Sequence, residues 1–241
     1  MDTKKIWHPD VMKGKVALIT GGSNGGMIPA IAKAYLEHGA AGVALCARKE
    51  DKLKAVCAEL QSKFARPGAK VLPIKLDVRE EKECQRAVEE CVKTFGRVDI
   101  LINGAAGNFL ASSSKLSAKG FKTVMEIDTL GTFNMSRAAF NGAFQAQKHG
   151  VILNISATLH YVGTALQAHA AAAKAGVDAL TRVMAVEWGP YNVRVSGIVP
   201  GPIAGTEGFE RLGSLSTVNN KEASKSAFEN KSTSKQGGPL P

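Results

Sequence analysis

From Lys13 onward, short apolar runs rich in β-branched residues alternate with longer stretches whose apolar positions recur three and four apart. The short runs predict strands at 16–20, 42–47, 70–76, 98–103, 151–156 and 192–198. The longer stretches predict helices near 28–38, 52–64, 81–95, 121–147 and 167–188. Strand and helix take turns throughout, which implies right-handed β-α-β crossovers and a parallel sheet covered by helices on both faces. The expectation is a single α/β domain with a doubly wound parallel sheet.

The pattern stops after Gly213. From Ser214 to Pro241 more than half of the residues are Ser, Thr, Asn or Lys, too polar a mixture to offset its own ordering entropy. The reading is therefore an N-terminal extension at 1–12, a folded domain at 13–213 and a disordered tail at 214–241. No apolar run approaches the roughly 18 residues of a membrane span. Met1 to Lys5 lead into Ile6-Trp7-His8-Pro9 rather than an apolar stretch, so a secretory signal is not expected and a reducing compartment is. Cys46, Cys57, Cys84 and Cys91 lack C-x-x-C spacing and a nearby metal-spaced histidine, and read as buried thiols with no metal site. Across 241 residues, 31 Lys and Arg against 21 Asp and Glu leave a net charge of +10, which attracts anions. The basic residues are scattered and carry no interleaved aromatics. That sets nucleic acid aside and leaves small polyanionic ligands such as phosphorylated metabolites.

The first predicted strand runs into Thr20-Gly21-Gly22-Ser23-Asn24-Gly25-Gly26-Met27, and a helix follows. Glycines at such a turn let the backbone approach a pyrophosphate and present amides at a helix N-terminus. A tight turn that is merely glycine-rich is the alternative. Its place as the first β-α turn, with Asn103-Gly104-Ala105-Ala106-Gly107 ending the fourth strand, favours binding, since ligands of doubly wound sheets sit there.

With these residues the chain resembles the short-chain dehydrogenase/reductase superfamily, which implies a Rossmann-type fold. Thr20, Gly21 and Gly25 match that family's T-G-x-x-x-G-x-G, while Met27 replaces the last glycine and implies a shifted first helix or a wider loop. The resemblance places a nicotinamide cofactor against Thr20, Gly21, Gly22, Ser23, Asn24 and Gly25, with Asn103, Ala105, Pro200, Gly201 and Ile203 further along the same groove. Arg48, after the second strand, suits the extra phosphate of NADPH where a carboxylate would suit NAD; a solvated surface arginine is the alternative. Asp77 and Val78 match the family's adenine-contacting pair, although Asp77 could equally cap the following helix.

The proton-transfer groups depart from the ketone reductases of that superfamily. Lys174 matches their lysine, but Ala170 stands for the tyrosine and Ala157 for the serine. Asp128 stands for their helix asparagine. It shares a predicted apolar stripe with Phe121, Val124, Met125, Thr132 and Met135, where a buried carboxylate needs a partner, a water or a raised pKa. Capping a helix break or pairing with a cation are its structural alternatives.

This combination, together with Asn103 to Leu110, His169, Ala185 to Pro190 and Pro200 to Gly208, is similar to the 2,4-dienoyl-CoA reductases of the peroxisomal type over roughly residues 13 to 213. The resemblance implies NADPH-dependent reduction of a fatty acyl-CoA substrate, 2,4-dienoyl-CoA, to 3-enoyl-CoA in the breakdown of unsaturated fatty acids. Lys174 would hold the nicotinamide ribose, Asp128 would orient a protonating water, and Asn108 and Phe109 would line the acyl pocket with Tyr161 and His169. Other assignments stay open: Lys174 and Asp178, four apart on one helix, could be a plain ion pair, and Tyr161 or His160 could supply a replacement acid. Family members add a helix and a seventh strand after the sixth, and no such pattern follows here. An open sheet edge is expected, along with a changed oligomer contact, although Ala170 to Ala173 could admit a partner helix of a homo-oligomer. The resemblance implies the peroxisome, yet Pro239-Leu240-Pro241 is not a Ser-Lys-Leu address, which leaves the cytoplasm as the other expectation. A reductase of another enoyl or carbonyl substrate, and an inactive nucleotide-binding paralogue, remain the alternative functions.

Overall fold

The computed structural model describes residues 8–23, 26–203 and 206; Asn24, Gly25 and the 214–241 segment lie outside the described residues. Six strands form one parallel sheet in the order β3-β2-β1-β4-β5-β6. They are β1 (Val16–Thr20), β2 (Gly42–Ala47), β3 (Lys70–Lys75), β4 (Ile100–Asn103), β5 (Gly150–Ile155) and β6 (Val193–Ile198). Strand order reverses between β1 and β4, and that switch point opens the crevice in which such sheets bind ligands.

Alternate residues of the central strands feed two cores. Ala17 and Ile19 face α1 (Met27–Glu37) and α2 (Glu50–Phe64), whereas Val16 and Leu18 face α3 (Glu81–Phe95) and the long helices beyond it. Both faces being covered, β1, β2 and β4 are buried throughout and read as unbroken apolar runs. Pro73 is tolerated because β3 is an edge strand. At the other edge β6 pairs only with β5 among the described residues, and Ser196, Gly197 and Ile198 are exposed. Burial pushes the thiols of Cys57, Cys84 and Cys91 up to about 12, so they pack as small apolar groups.

The predicted 121–147 helix is a column of three α-helical pieces, α4 (Ala118–Met125), α5 (Gly131–Ala139) and α6 (Gln145–Gln147), joined by π-helical turns at Glu126–Leu130 and Phe140–Phe144. Each π turn adds a residue and rotates the helical piece after it. The buried face of the column is Val124, Ile127, Asp128, Gly131, Thr132 and Met135. Phe121 and Met125, which a regular helix would place on it, are exposed and half-buried. The remaining elements are the short α7 (Leu159–Val162), which the pattern did not predict, and α8 (Ala168–Trp188).

Candidate active site

The switch point is tight because two glycines allow it. Gly21 has φ +92°, and a Cβ there would stand 2.7 Å from the Gly104 carbonyl oxygen; one on Gly104 would meet Ile28 Cδ1 at 2.2 Å. Thr20 Oγ1 accepts from the amides of Gly104 and Ala105 at 3.0 and 3.1 Å, strapping β1 to the loop after β4. The Gly21 and Gly22 amides both donate to the Cys46 carbonyl. Both amides are thereby spent on the sheet, and Ser23 just after them is half-buried. Met27 opens α1 and packs half-buried against the Ala17 and Ile19 core, so the helix closes on the sheet without a glycine there. Gly26 caps α1 at φ +119°, and a Cβ on it would lie 3.2 Å from Thr206, which brings the segment after β6 to the glycine turn. Pro200 is half-buried on that segment, and Gly201 and Ile203 are exposed.

Arg48 is exposed beyond β2 and lies close enough to Asp77 to act on its charge. Asp77 does not cap α3. Arg79 grips it through Nε and Nη2 at 3.0 and 2.6 Å and holds its carboxyl below the usual range. Val78 is buried against Gly131, and its carbonyl accepts from Asn134 Nδ2 at 3.1 Å. The Asn103 side chain turns inward, donating to Ser136 Oγ at 2.9 Å and Asn154 Oδ1 at 2.8 Å, so only its backbone faces the crevice. Asn154 continues this polar chain to Thr181.

Beside the crevice lies a buried ion pair. Asp128, on the first π turn, is 1% exposed; its Oδ2 is 3.0 Å from Lys174 Nζ and its Oδ1 accepts from the Gly107 amide at 2.8 Å. Lys174 also donates to the Ile155 carbonyl at 2.9 Å. The π turn is pinned to α8 by Thr129 Oγ1, which donates to the Ala173 carbonyl at 2.9 Å, with Gly176 leaving room for the threonine. A pair so buried is strong only while both partners remain, because either charge alone is stranded in a poorly solvated interior.

Lys174 does not pair with Asp178. Asp178 accepts from His160 Nε2 at 2.9 Å and from the Tyr161 hydroxyl at 2.8 Å, anchoring α7 to α8. Burial works to raise the Asp178 carboxyl, but the hydrogen-bond donors around it, Tyr161 and His160 among them, outweigh burial and hold it below the ordinary range. The bond to Asp178 raises the Tyr161 hydroxyl above its usual value, which weakens it as a proton donor. Asp178→Ala is expected to lower stability by about 1.5–3 kcal/mol, the scale of a charge-assisted hydrogen bond. Because the folded carboxyl titrates lower than the unfolded one, its contribution is complete at neutral pH and fades as pH falls below about 4. Urea unfolding of both proteins at neutral and acid pH checks this: the difference should shrink in acid.

Two loops meet above the pair. Asn108 Nδ2 donates to Gln167 Oε1 at 2.7 Å, Asn108 Oδ1 accepts from the Phe109 amide at 2.8 Å, and the Ala111 amide donates to the Leu166 carbonyl at 3.1 Å. Phe109 stacks on His169, their centroids 4.2 Å apart. Ala157 is half-buried and Ala170 buried, with no hydroxyl at either. A cavity of about 300 Å³ lined by Pro9, Glu37, His38, Lys63, Phe64 and Arg66 sits at the far end of α1, where the strands begin, away from this chemistry. The anchors supplied by Gly107, Ile155 and Gln167 had no signature in the sequence: two are backbone atoms, and the third is a surface-type residue made polar cover by the fold.

The strand order, the glycine-bounded switch point and the buried acid–lysine pair define a dinucleotide-binding oxidoreductase. The short chain dehydrogenase family model matches residues 15–214. The chain is 50% identical over 208 residues to the peroxisomal 2,4-dienoyl-CoA reductase [(3E)-enoyl-CoA-producing] of Danio rerio, covering 86% of this chain and 67% of that protein. It is 43% identical over 202 residues to the probable 2,4-dienoyl-CoA reductase [(2E)-enoyl-CoA-producing] of Bacillus subtilis, covering 83% and 77% of the two. Among solved structures it is similar to a short chain dehydrogenase from Bacillus anthracis, with TM-score 0.72 and 39% identity, covering 80% of this chain and 78% of that one. The chain belongs to the short chain dehydrogenase family. No helix of the described residues is long and apolar enough to cross a membrane.

Proposed function

We propose that the protein reduces 2,4-dienoyl-CoA thioesters to 3-enoyl-CoA with NADPH, in the breakdown of unsaturated fatty acids. The observation that carries this reading is the Asp128–Lys174 pair standing where both family hydroxyls are replaced by Ala157 and Ala170. Such a site has no acid for an alkoxide. It suits a reaction whose negative charge develops on a thioester oxygen and whose proton goes to carbon.

The residues present fit a nicotinamide cofactor, since Gly21 and Gly104 let the first β-α turn and the loop after β4 approach each other closely, with no side chain between them at the switch point. Ser23, Asn24, Gly25, Ala105 and the Pro200–Ile203 segment would hold it, with Asp77 and Val78 toward the adenine. When bound, that group supplies hydride to the far end of the diene. Lys174 contributes positive field and pairs with Asp128. Asp128 orients the water that protonates the carbon next to the carbonyl. Asn108, Phe109, Tyr161 and His169 form the acyl side of the site.

Both relatives' names support the substrate class, and that of the Danio rerio protein supports the peroxisome as compartment. They also divide on the product, and the second reading is protonation farther along the chain to give a 2-enoyl-CoA. Among the described residues β6 pairs only with β5, and that edge supports self-association. Mixing the protein with NADPH and a dienoyl-CoA tests the activity; a rate no better than with the saturated thioester would overturn it.

Arg48 sets the cofactor preference in this reading. A guanidinium–phosphate contact is worth about 1.5–3 kcal/mol, so NADPH should bind roughly 10- to 10²-fold more tightly than NADH. Arg48→Asp should erase or reverse that ratio. Calorimetric titration of both cofactors against both proteins decides it, and equal affinities in the unmutated protein would contradict the assignment.

A further inference from the structure

We propose that the imidazole of His169 donates a hydrogen bond to the thioester oxygen of the bound acyl-CoA, doing for this substrate what a tyrosine hydroxyl at the neighbouring position does for a ketone. The inference rests on the dienoyl-CoA reading and names the group that receives its developing charge.

His169 is completely buried, and neither ring nitrogen has a hydrogen-bond partner among the described residues. An imidazole carries at least one N–H in every protonation state. A buried donor left without an acceptor is costly and rare, so this one points to a group that arrives with a ligand. His38 is the other histidine with both nitrogens unpartnered, but it lines the cavity at the far end of the sheet, which is roomy enough for water. His169 instead lies under the ring of Phe109, itself 40% exposed.

Its position connects it to the reacting pair through the loop that covers it. It precedes Ala170 on α8 and stands about 7.5 Å along the helix axis and about 140° around it from Lys174, five residues on. Phe109 belongs to the loop whose Gly107 amide holds Asp128. The ammonium of Lys174 already spends two donors on Asp128 and the Ile155 carbonyl. A second donor for the thioester oxygen must come from elsewhere, and His169 carries an N–H with no other use.

The step balances without moving the imidazole proton. Hydride that a dihydronicotinamide would supply, its own C–H bond breaking as it becomes the oxidised nicotinamide, forms a C–H bond at the far end of the diene; the remaining double bonds shift toward the carbonyl, and the electron pair settles on the thioester oxygen. His169 stabilises that oxygen by hydrogen bonding, and the carbon next to the carbonyl then takes its proton from the water at Asp128. A donor aimed at developing charge acts mainly on kcat.

His169→Phe keeps a flat ring under Phe109 and removes the donor, whereas His169→Gln keeps a donor. His169→Phe should lower kcat about 10²-fold with NADPH affinity unchanged, and His169→Gln should recover part of the loss. The bound dienoyl thioester should absorb at longer wavelength on the unmutated protein, because a polarised carbonyl extends its conjugation, and His169→Phe should abolish that shift. Independently of any variant, the nitrogen-15 signal of the His169 ring should move on adding dienoyl-CoA and stay put on adding an alkyl thioether of CoA of equal length, which has no carbonyl. Equal responses to the two ligands, or a His169→Phe protein with native kcat and a native absorbance shift, would overturn the assignment while leaving the dienoyl-CoA activity standing. An unmutated protein that neither binds nor reduces dienoyl-CoA would overturn both.

Discussion

Asp128→Ala is expected to lower kcat for dienoyl-CoA by about 10²-fold or more, the scale of a lost acid–base group. It should also destabilise the fold. Removing one member of a buried pair strands the other, at roughly 3–5 kcal/mol, and Lys174 would keep only the Ile155 carbonyl as partner. A domain of this size should then melt on the order of 10 °C lower. The double variant Asp128→Leu, Lys174→Met separates the two effects: with neither charge left to strand, stability should largely return while kcat stays low. If kcat recovered along with stability, the pair would be structural. Asp128→Asn is the milder form, keeping an acceptor for the Gly107 amide. Thermal melts and steady-state rates on the three proteins suffice.

The second large effect is expected at the switch point. Gly21→Ala puts a Cβ 2.7 Å from the Gly104 carbonyl oxygen at φ +92°, so strain and collision add together. Strain alone at a left-handed position is about 1–3 kcal/mol. The collision is with backbone on the neighbouring strand's loop, and it pushes apart the two segments that shape the crevice. Loss of measurable NADPH binding should accompany a fall in melting temperature. Gly96→Ala is the control, having φ +78° and nothing within 4 Å. It should show the strain and keep cofactor affinity. Equal cofactor binding by Gly21→Ala and the unmutated protein would mean that the cofactor does not use this cleft.

The contrast between strands and sites shows what was legible in the sequence. Strands β1, β2 and β4 lie between two helical layers, so nearly every residue is apolar and the run is visible against polar neighbours. The helix over 121–147 was visible for the same reason, but its two π turns were not, because an extra residue per turn leaves no compositional trace. Phe121, on the first turn of α4 and ahead of both π turns, is left outside where a regular stripe carries it inward. Asp128 could be read as a buried carboxylate needing a partner, a water or a raised pKa. That Lys174 is the partner could not. Local spacing offered Lys174 to Asp178, yet α8 turns Lys174 toward the π turn and Asp178 toward α7, an element the pattern never announced. The same limit applies to Asn103, whose place at a strand's end read as ligand-facing and whose side chain closes a polar chain between helices.

Delivery of a solvent proton to the carbon next to the thioester carbonyl, directed by Asp128, is tested most directly by running the reaction in heavy water with NADPH and a 2,4-dienoyl-CoA. NMR of the product then locates the deuterium and the remaining double bond. The expected product carries one deuterium on the carbon beside the carbonyl and a double bond between the third and fourth carbons. Deuterium farther along the chain, with the double bond next to the carbonyl, would contradict this role for Asp128.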